Sequence, residues 1–577
     1  MQANRLKSRI NSADSTAKST KLAVILILHP LYHADYPANR RNRPWQRLFL
    51  GPVPYFSPSF SELFPNAAVS SIDPLASQAA VHLLRNGGSA VDAAIGANAV
   101  LSVTAPDQCG LGGDLVALVY SPPSSRGPAQ VQSLQAIGTS GSGASAEFLR
   151  ADGHRTIPRS SLGALTVPGA VDGWLALHHK FGKLRLDQVL EIAVSYATDG
   201  FPASSRLRRN FEQIRGLASG AELGGFLGTM AGTTPLVRRP GVARTLLAIS
   251  KLGREGFYAG EFGAELMKLS DGVFRPDDLA RPIARFATPL EANIFGHVLT
   301  TNPAPSAGFL ILGALAQLSG TTATAGDANW YIELIEAFRT TSWMRGYHHD
   351  NVDLASVLAG TVSPNVVRTH TVSAGPDTTA ITAIDANGLA VVIVQSNGHA
   401  FGSRLATPDT NIFIHDRGAV GFNLIAGDAN ELKPKARPRH TLSPMMAQDA
   451  NGDLALVAGT MGGDRQPSIL AQLITATLRD RSEPSDALVQ PRFAFTSTSV
   501  GDLSGFDTYD GTQEPAITCE EHLSSSIFDE LIGRIGVVTP TPAFSPESGV
   551  AHVTLRRSNS WIIAADPRSE AAGIAGY

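Results

Sequence analysis

The order of apolar and polar positions predicts helices first and antiparallel strands later. Asp73-Pro74 is an N-cap followed by proline at the first helical position, and apolar residues then recur at helical spacing up to a glycine pair at 87–88. Ser89 and Asp92 form the capping box of a second helix. A nearly unbroken apolar run at 115–120 is typical of a buried strand.

Two Asn-Gly turns each separate a pair of apolar runs. Asn387-Gly388 lies between residues 378–385 and 389–394, and Asn451-Gly452 lies between two similar runs. Asn-Gly between such runs is a strong short-range hairpin signal. Helices that precede an antiparallel core of hairpins predict an α+β fold.

The hairpins also predict which residues meet beyond the turns, if Asn and Gly are the two central residues of each turn. The expected neighbours are Ser396 with Thr379 and Asn397 with Thr378 in the first hairpin, and Gly462 with Thr441 and Gly463 with His440 in the second. A glycine-rich strand end of this kind lets backbone amides approach another group closely.

Composition excludes two classes of protein. Charged residues make up 17% and hydrophobic residues 43% of the 577 residues, which excludes disorder of the whole chain. With 47 Lys+Arg against 50 Asp+Glu and no dense basic block, the chain lacks the electrostatic signature of a nucleic-acid-binding protein. No membrane span is expected either.

Neither a metal nor another cofactor is expected. Cys109 and Cys519 are far apart and lack a Cys/His cluster, so neither a disulfide framework nor a zinc site is implied. We interpret His348-His349-Asp350 as a solvated loop. Gly110-Leu111-Gly112-Gly113-Asp114 lacks the spacing of a nucleotide-binding loop, and we interpret it as a tight turn beneath a pocket.

Residues 1–66 are expected to form a poorly ordered leader. Prolines interrupt any periodicity there, and the apolar run at 22–28 is too short to cross a membrane and has no small-residue cleavage site after it. We therefore expect the ordered protein to begin near Ala67, so that removal of the leader through about Pro65 leaves the rest intact. Localisation stays open, with the cytoplasm favoured over secretion.

Short motifs in a fixed order connect the chain to a known family. They include Pro74-Leu75-Ala76-Ser77-Gln78-Ala79, Gly110-Leu111-Gly112-Gly113-Asp114, Val167-Pro168-Gly169-Ala170-Val171-Asp172-Gly173-Trp174, Asp377-Thr378-Thr379, Gln395-Ser396-Asn397 and Met461-Gly462-Gly463. The chain resembles the γ-glutamyltranspeptidase family, self-cleaving hydrolases with an N-terminal nucleophile. The resemblance implies a four-layer αββα sandwich, and a precursor that cuts itself into a large-subunit region, 67–377, and a small-subunit region, 378–577.

The resemblance also assigns the catalytic residues. Cleavage between Asp377 and Thr378 would make Thr378 the nucleophile, with its own α-amine, of pKa about 8, as the base. Ser396 matches the residue that hydrogen-bonds the nucleophile. Gly462 and Gly463 match the pair whose backbone amides stabilise the oxyanion.

Departures from the family pattern fall in the substrate pocket. Segment 136–141 lacks the arginine that holds the α-carboxylate in γ-glutamyl enzymes, and His440-Thr441 replaces two serines. Arg417 replaces a glutamine that holds the substrate's α-ammonium group, which an arginine would repel. The expected substrate-binding residues are therefore Asn397, Arg417, His440 and Thr441.

This pattern is more similar to the oxamate amidohydrolase and cephalosporin-acylase-like branch of the family. It predicts an autoprocessing amide hydrolase or acyltransferase for an amide of a small anionic acyl group, whose partners are that small molecule and its own two subunits. Two alternatives stay open. One is a true γ-glutamyltransferase or glutathione hydrolase; the other is an unprocessed, non-catalytic scaffold, which the altered pocket and the atypical segment 338–343 motivate.

Overall fold

The computed structural model describes residues 61–577, apart from 126, 216–235, 319, 351, 363–376 and 497–515. The described strands are β1 (Ser61–Phe64), β2 (Ala68–Ser71), β3 (Asp114–Ser121), β4 (Gln130–Ala136), β5 (Phe201–Pro202), β6 (Leu236–Val237), β7 (Arg285–Ala287), β8 (Leu290–Ile294), β9 (His297–Thr301), β10 (Thr379–Ile384), β11 (Ala390–Ser396), β12 (Met445–Gln448), β13 (Leu454–Thr460), β14 (Phe493–Thr496), β15 (Ala516–Glu520), β16 (Val538–Thr541), β17 (Ala551–Arg557), β18 (Ser560–Ala564) and β19 (Gly573–Gly576).

The described helices are α1 (Pro74–Arg85), α2 (Ala90–Thr104), α3 (Ala146–Ala151), α4 (Ala170–Phe181), α5 (Leu186–Asp199), α6 (Ser205–Arg215), α7 (Pro240–Leu252), α8 (Arg254–Tyr258), α9 (Glu261–Leu269), α10 (Pro276–Ala280), α11 (Gly308–Ala316), α12 (Ala328–Thr340), α13 (Leu354–Leu358), α14 (Arg417–Gly421), α15 (Gln466–Ile474), α16 (Pro484–Val489) and α17 (Ser525–Ile535). The predicted caps are confirmed. Asp73 accepts a hydrogen bond from the Leu75 amide at 2.8 Å, and Ser89 and Asp92 form a reciprocal capping box.

Two seven-stranded sheets form the centre of the fold. Sheet I has the order β19-β2-β10-β11-β3-β4-β7, and sheet II has the order β1-β18-β17-β13-β12-β9-β8. Between the sheets, Val392 and Val394 of β11 share an apolar layer with Val457 of β13. The alternate β11 residues Val391 and Ile393 pack on the opposite face, against helices. Period-two alternation in an almost wholly apolar strand thus gives sheet I two buried faces.

Helices cover the outer face of each sheet. On sheet I, α1, α2 and α4 lie directly on the strands, with α5 and α7 packed outside them. On sheet II, α11 and α15 lie on the strands, with α12 and α17 outside. The layers therefore run helix, sheet, sheet, helix, which confirms the predicted α+β fold of αββα type. No described helix combines the length and apolar character needed to cross a bilayer.

The register of the first hairpin differs from the prediction by one residue. Thr379 pairs with Gln395, so Ser396 rather than Asn397 comes opposite Thr378. The cause is Asp385, whose carboxylate accepts the amides of Asn387 and Leu389 and so draws a third residue into the turn.

The second hairpin repeats this turn but regains the predicted register. Asp449 accepts the amides of Asn451 and Asp453, and a bulge after Ala447 then shifts the pairing by one, so that Met445 pairs with Ala458 as predicted. Strand pairing ends there. The expected proximity of the glycine pair to His440-Thr441 therefore stays a prediction.

A short strand precedes the expected domain boundary near Ala67. Strand β1 pairs along β18, with Phe64 opposite Trp561, so a leader that ends at residue 66 includes an edge strand. The sequence pattern does not reveal β1 because this strand has no buried face: Leu63, for example, is 58% exposed. Residues 1–60 lie outside the described part of the chain.

A chain that starts at Ala67 should therefore unfold a few degrees lower than one that starts at Ser61, because it lacks β1. Thermal unfolding monitored by circular dichroism measures the difference. Phe64→Ala should reproduce part of the loss, since the Phe64 ring packs against Gly576, and Leu63→Ala serves as the exposed control. Equal unfolding temperatures for the two truncations would contradict a structural role for β1.

His348 is not on a solvated loop, so that interpretation is wrong for this residue. It is buried, with Nε2 3.1 Å from the Pro305 carbonyl oxygen and 3.0 Å from that of His440. Asp350 forms an ion pair with Arg285. Among the described residues, no group of three or more His, Cys, Asp or Glu side chains could hold a metal ion.

Candidate active site

Thr378 and Ser396 meet at the end of the first hairpin. Both are buried, Thr378 just before β10 and Ser396 as the last residue of β11. Thr378 Oγ1 donates to Ser396 Oγ at 2.9 Å, and Ser396 Oγ donates to the carbonyl oxygen of Asp377 at 2.9 Å. The Ser396 hydroxyl therefore contacts both sides of the peptide bond that joins Asp377 to Thr378.

The loop after β11 holds Ser396 in place. The Gly398 amide donates to Ser396 Oγ at 2.9 Å. Gly398 has a φ of 93°, and a Cβ there would lie 2.0 Å from a carboxylate oxygen of Asp416, so only glycine fits. The Asn397 backbone carbonyl in turn accepts the Asp416 amide at 3.1 Å. Asn397 follows Ser396 in the chain, and its side-chain amide donates to the Pro106 carbonyl at 3.3 Å.

Arg206 connects the residue before Thr378 to the glycine pair. Its Nη2 lies 2.9 Å from Asp377 Oδ1, and its Nη1 lies 3.5 Å from the sulfur of Met461, the residue that precedes Gly462. With the side-chain amide of Gln108 oriented to satisfy its neighbours, Gln108 accepts from Arg206 and donates to the Thr378 carbonyl at 3.2 Å. These contacts bring β10 and the end of β13 to one place.

Gly462 and Gly463 form a turn with free backbone donors. Gly462 has a φ of 131°, and Gly463 has a φ of 56° and begins a 3₁₀ turn. Neither amide donates to any residue that the structure describes. Two such amides side by side are suited to bind an anionic oxygen.

Two buried carboxylates, Asp416 and Asp114, lie near Arg417. Asp416 lies 2.7 Å from His399 Nδ1 and 3.3 Å from Arg159 Nε. Burial would raise the pKa of Asp416, but His399 and then Arg159 outweigh it and hold the pKa at about 2. Asp416 is therefore ionised at neutral pH.

Asp114, at the end of the glycine motif, is the second of these carboxylates. Its Oδ1 accepts the Gly138 and Gly169 amides, and its Oδ2 lies 3.5 Å from His415 Nδ1 and 3.5 Å from His440 Nε2. Burial opposes ionisation, but the two histidines and Arg417 lower the pKa of Asp114. The motif is thus a tight turn, closed by a hydrogen bond from the Gly113 amide to the Gly110 carbonyl, that directs a carboxylate toward His415 and His440.

His440 is buried in its neutral form. Desolvation, and then the nearby Arg417 charge, lower the pKa of His440 to about 3. Its Nδ1 accepts the Leu442 amide at 3.4 Å, which leaves Nε2 to carry the proton toward Asp114. Thr441 is 5% exposed, and its carbonyl accepts the Ser443 hydroxyl at 2.9 Å. The Ser443 amide then donates to Gln466, three residues after Gly463.

Arg417 is the most unusual charge in the site. It is 1% exposed, and Nε, Nη1 and Nη2 all lack a hydrogen-bond partner among the described residues. Burial lowers the pKa of Arg417. The negative charges of Asp114 and then Asp416 raise this pKa, although neither carboxylate forms a hydrogen bond with the guanidinium. A buried guanidinium whose donors are free is expected to receive a polar or anionic group.

Sequence reasoning missed Arg206, Gln108, Asp114 and Arg159 as site residues. Asp114 is the last residue of the glycine motif at 110–114, but no spacing rule points to the other three. The two cysteines are not alternatives to Thr378, because burial raises the pKa of each thiol to about 12 and they lie in different layers.

The chain is similar to known proteins over most of its length. The family model described as Gamma-glutamyltranspeptidase matches residues 76–576. The oxamate amidohydrolase proenzyme of Klebsiella pneumoniae is 31% identical, over 87% of this chain and 97% of that protein. The glutathione hydrolase-like YwrD proenzyme of Bacillus subtilis is 30% identical, over 74% of this chain and 84% of that protein.

A solved structure has the same fold. The cephalosporin acylase of Bacillus halodurans superposes with a TM-score of 0.80 at 24% identity, over 92% of this chain and 99% of that one. The family match spans far more than half of the chain. The chain therefore belongs to the γ-glutamyltranspeptidase family of N-terminal-nucleophile hydrolases and transferases.

Proposed function

We propose that the protein cuts its own chain between Asp377 and Thr378 and then uses Thr378 to hydrolyse or transfer the acyl group of a small anionic amide. The observation that carries this proposal is the pair of hydrogen bonds from Thr378 to Ser396 and from Ser396 to the Asp377 carbonyl. The Ser396 hydroxyl thus binds both the candidate nucleophile, Thr378 Oγ1, and the carbonyl group of Asp377 that it would attack.

Self-cleavage would create the base that turnover needs. A threonine hydroxyl is a weak nucleophile, and its proton must be removed as it attacks. The α-amine freed on Thr378 has an ordinary pKa of about 8, close enough to neutral pH to accept that proton. Gly462 and Gly463 would then donate their amides to the oxyanion of the tetrahedral intermediate.

The expected acyl group follows from the charge states of Arg417 and His440. Arg417 supplies buried positive charge with free donors, whereas His440 is neutral, so Arg417 is the group that would repel an α-ammonium. Asn397 and Thr441, the other two expected substrate-binding residues, would add neutral polar groups. An anionic acyl group without an ammonium fits this set of residues, and oxamate, in the name of one relative, is a substrate of that chemical type.

The two alternatives have less support. A glutathione hydrolase must bind an α-ammonium group, and Asp416, one of the two buried carboxylates near Arg417, is already engaged by His399 at 2.7 Å. A non-catalytic scaffold has no use for free amides at the glycine pair or for a hydroxyl aimed at the peptide bond before Thr378.

A substrate panel tests the proposal. The native enzyme should hydrolyse glutaryl-p-nitroanilide in preference to γ-glutamyl-p-nitroanilide, because the two differ by the ammonium group that Arg417 repels. Arg417→Gln should narrow the ratio of the two kcat/KM values, and Arg417→Lys, which retains the charge, should preserve it. Unfolding temperatures of both variants control for loss of the buried guanidinium.

A tenfold preference of the native enzyme for the γ-glutamyl compound would contradict the proposed acyl group. That ratio corresponds to about 1.4 kcal/mol of transition-state binding. The protein would then be a glutathione hydrolase with an altered pocket. No turnover of any amide, oxamate included, would favour the scaffold.

A further inference from the structure

In the intact chain, Asp377 occupies a prepared carboxylate site. Its side chain is 12% exposed, and Arg206 Nη2 lies 2.9 Å from Oδ1. Arg206 does not depend on Asp377 for its position, because Nε also lies 3.6 Å from Asp107 and the guanidinium donates to Gln108. When the chain end at Asp377 departs, Arg206 keeps these contacts and loses one anionic partner.

The chemistry of self-cleavage makes Asp377 the first acyl group that Thr378 carries. Thr378 Oγ attacks the Asp377 carbonyl carbon, the C–N bond breaks, and the amine nitrogen takes the proton, which leaves an aspartyl ester on Oγ. Water then hydrolyses this ester to the Asp377 carboxylate and the free Thr378 hydroxyl. Turnover repeats the sequence with a substrate amide, so the substrate acyl group takes the chemical place of the aspartyl group.

We propose that Arg206 binds the terminal carboxylate of the substrate acyl group after Asp377 has left, and that Asp377 is therefore a built-in substitute for the substrate. The inference rests on the proposed role of Thr378 as nucleophile. In the aspartyl ester two carbons separate the ester carbonyl from the carboxylate, the same number as in a succinyl group. The preferred substrates are thus amides of a four-carbon dicarboxylic acid, rather than the two-carbon oxamyl or five-carbon glutaryl compounds.

Arg206 also borders a cavity. Arg206 and Gln108 line a cavity of about 290 Å³ together with Ser204, Ser569 and Glu570. Glu570 forms an ion pair with Arg209 at 2.5 Å, so Asp107, 3.6 Å from Nε, is the carboxylate that stays beside Arg206. A carboxylate held by a partly buried guanidinium gains charge-assisted hydrogen bonds of the strong kind.

The test compares three p-nitroanilides, succinyl, glutaryl and the neutral butyryl compound, on the self-cleaved enzyme. Arg206→Gln should lower kcat/KM for the succinyl compound about 10–100-fold more than for the butyryl compound, mainly through KM. Arg208→Gln is the matched control, since Arg208 lies on the same helix and is exposed. Equal losses on all three compounds, or no loss on any, would overturn the inference.

Arg206→Lys keeps the inference testable if Arg206→Gln does not cleave itself. Lysine retains the charge but presents a single ammonium group in place of the planar guanidinium fork, on a shorter side chain. The preference should then move from succinyl toward glutaryl, because a longer acyl chain reaches a shorter side chain. An unchanged ratio would overturn the role of Arg206.

The outcomes also separate this inference from the proposed function. If the native enzyme cleaves itself and hydrolyses butyryl and succinyl compounds equally, Thr378 stands as nucleophile and only the Arg206 site fails. If Thr378→Ala hydrolyses the succinyl compound, the proposed function itself fails. Loss of succinyl preference in Arg417→Gln but not in Arg206→Gln would place the carboxylate at Arg417 instead.

Discussion

Thr378→Ala should produce one intact polypeptide of 577 residues with no amidase activity. Self-cleavage and turnover would use the same hydroxyl, and the alanine variant lacks it. We expect kcat to fall by at least about 10⁴-fold, as is usual when a catalytic nucleophile is removed. Denaturing gel electrophoresis measures the first effect, since the native protein should give a smaller product of 200 residues that begins at Thr378.

Two variants serve as controls for this result. Thr378→Ser keeps both the hydroxyl and the α-amine, so part of self-cleavage and turnover should persist. Thr379→Ala removes the neighbouring threonine hydroxyl, which is also buried and donates to the Gln395 carbonyl at 3.3 Å. That variant should still cleave itself. An alanine variant at 378 that cleaves or turns over substrate would mean that the nucleophile has been misassigned.

The hairpins show how far local sequence determines this fold. Asn-Gly located both turns, and the apolar alternation located both faces of β10 and β11, because these signals act over a few residues. The exact pairing depended on Asp385 and Asp449, two positions before each Asn, whose carboxylates cap the turn. Both aspartates were visible in the sequence, so the register was predictable from turn chemistry that the Asn-Gly rule alone leaves out.

The site residues also differ in how far the sequence predicts their proximity. Thr378 and Ser396 come from one hairpin, so sequence could place them together. Arg206 reaches Asp377 from α6, more than 170 residues earlier, and Asp114 reaches His440 across the fold. Such contacts arise from tertiary packing, and no periodicity in either segment records them. His348 was misjudged for the same reason, since its burial depends on backbone carbonyls of two distant segments.

Ser396→Ala should separate the hydroxyl's role from that of the glycine pair. In the intact chain the Asp377 carbonyl accepts a hydrogen bond from Ser396 rather than from Gly462 or Gly463. Removing that donor takes away stabilisation of the oxyanion that forms on Asp377 as Thr378 attacks. We expect self-cleavage to slow by about 10²–10³-fold, the usual effect of losing one oxyanion donor.

The rate at which purified precursor converts to two chains measures this effect. Ser396→Thr should restore much of the rate, because it returns a hydroxyl to the end of a β-strand, where threonine is well accommodated. Ser403→Ala is the control, since Ser403 is equally buried in the same loop region but donates to the Ile414 carbonyl. A Ser396→Ala precursor that matures at the native rate would show that the Asp377 oxyanion is stabilised elsewhere. The free amides of the glycine pair would then be the donors for self-cleavage as well as for turnover, and the polypeptide would have to rearrange around Asp377 before Thr378 attacks.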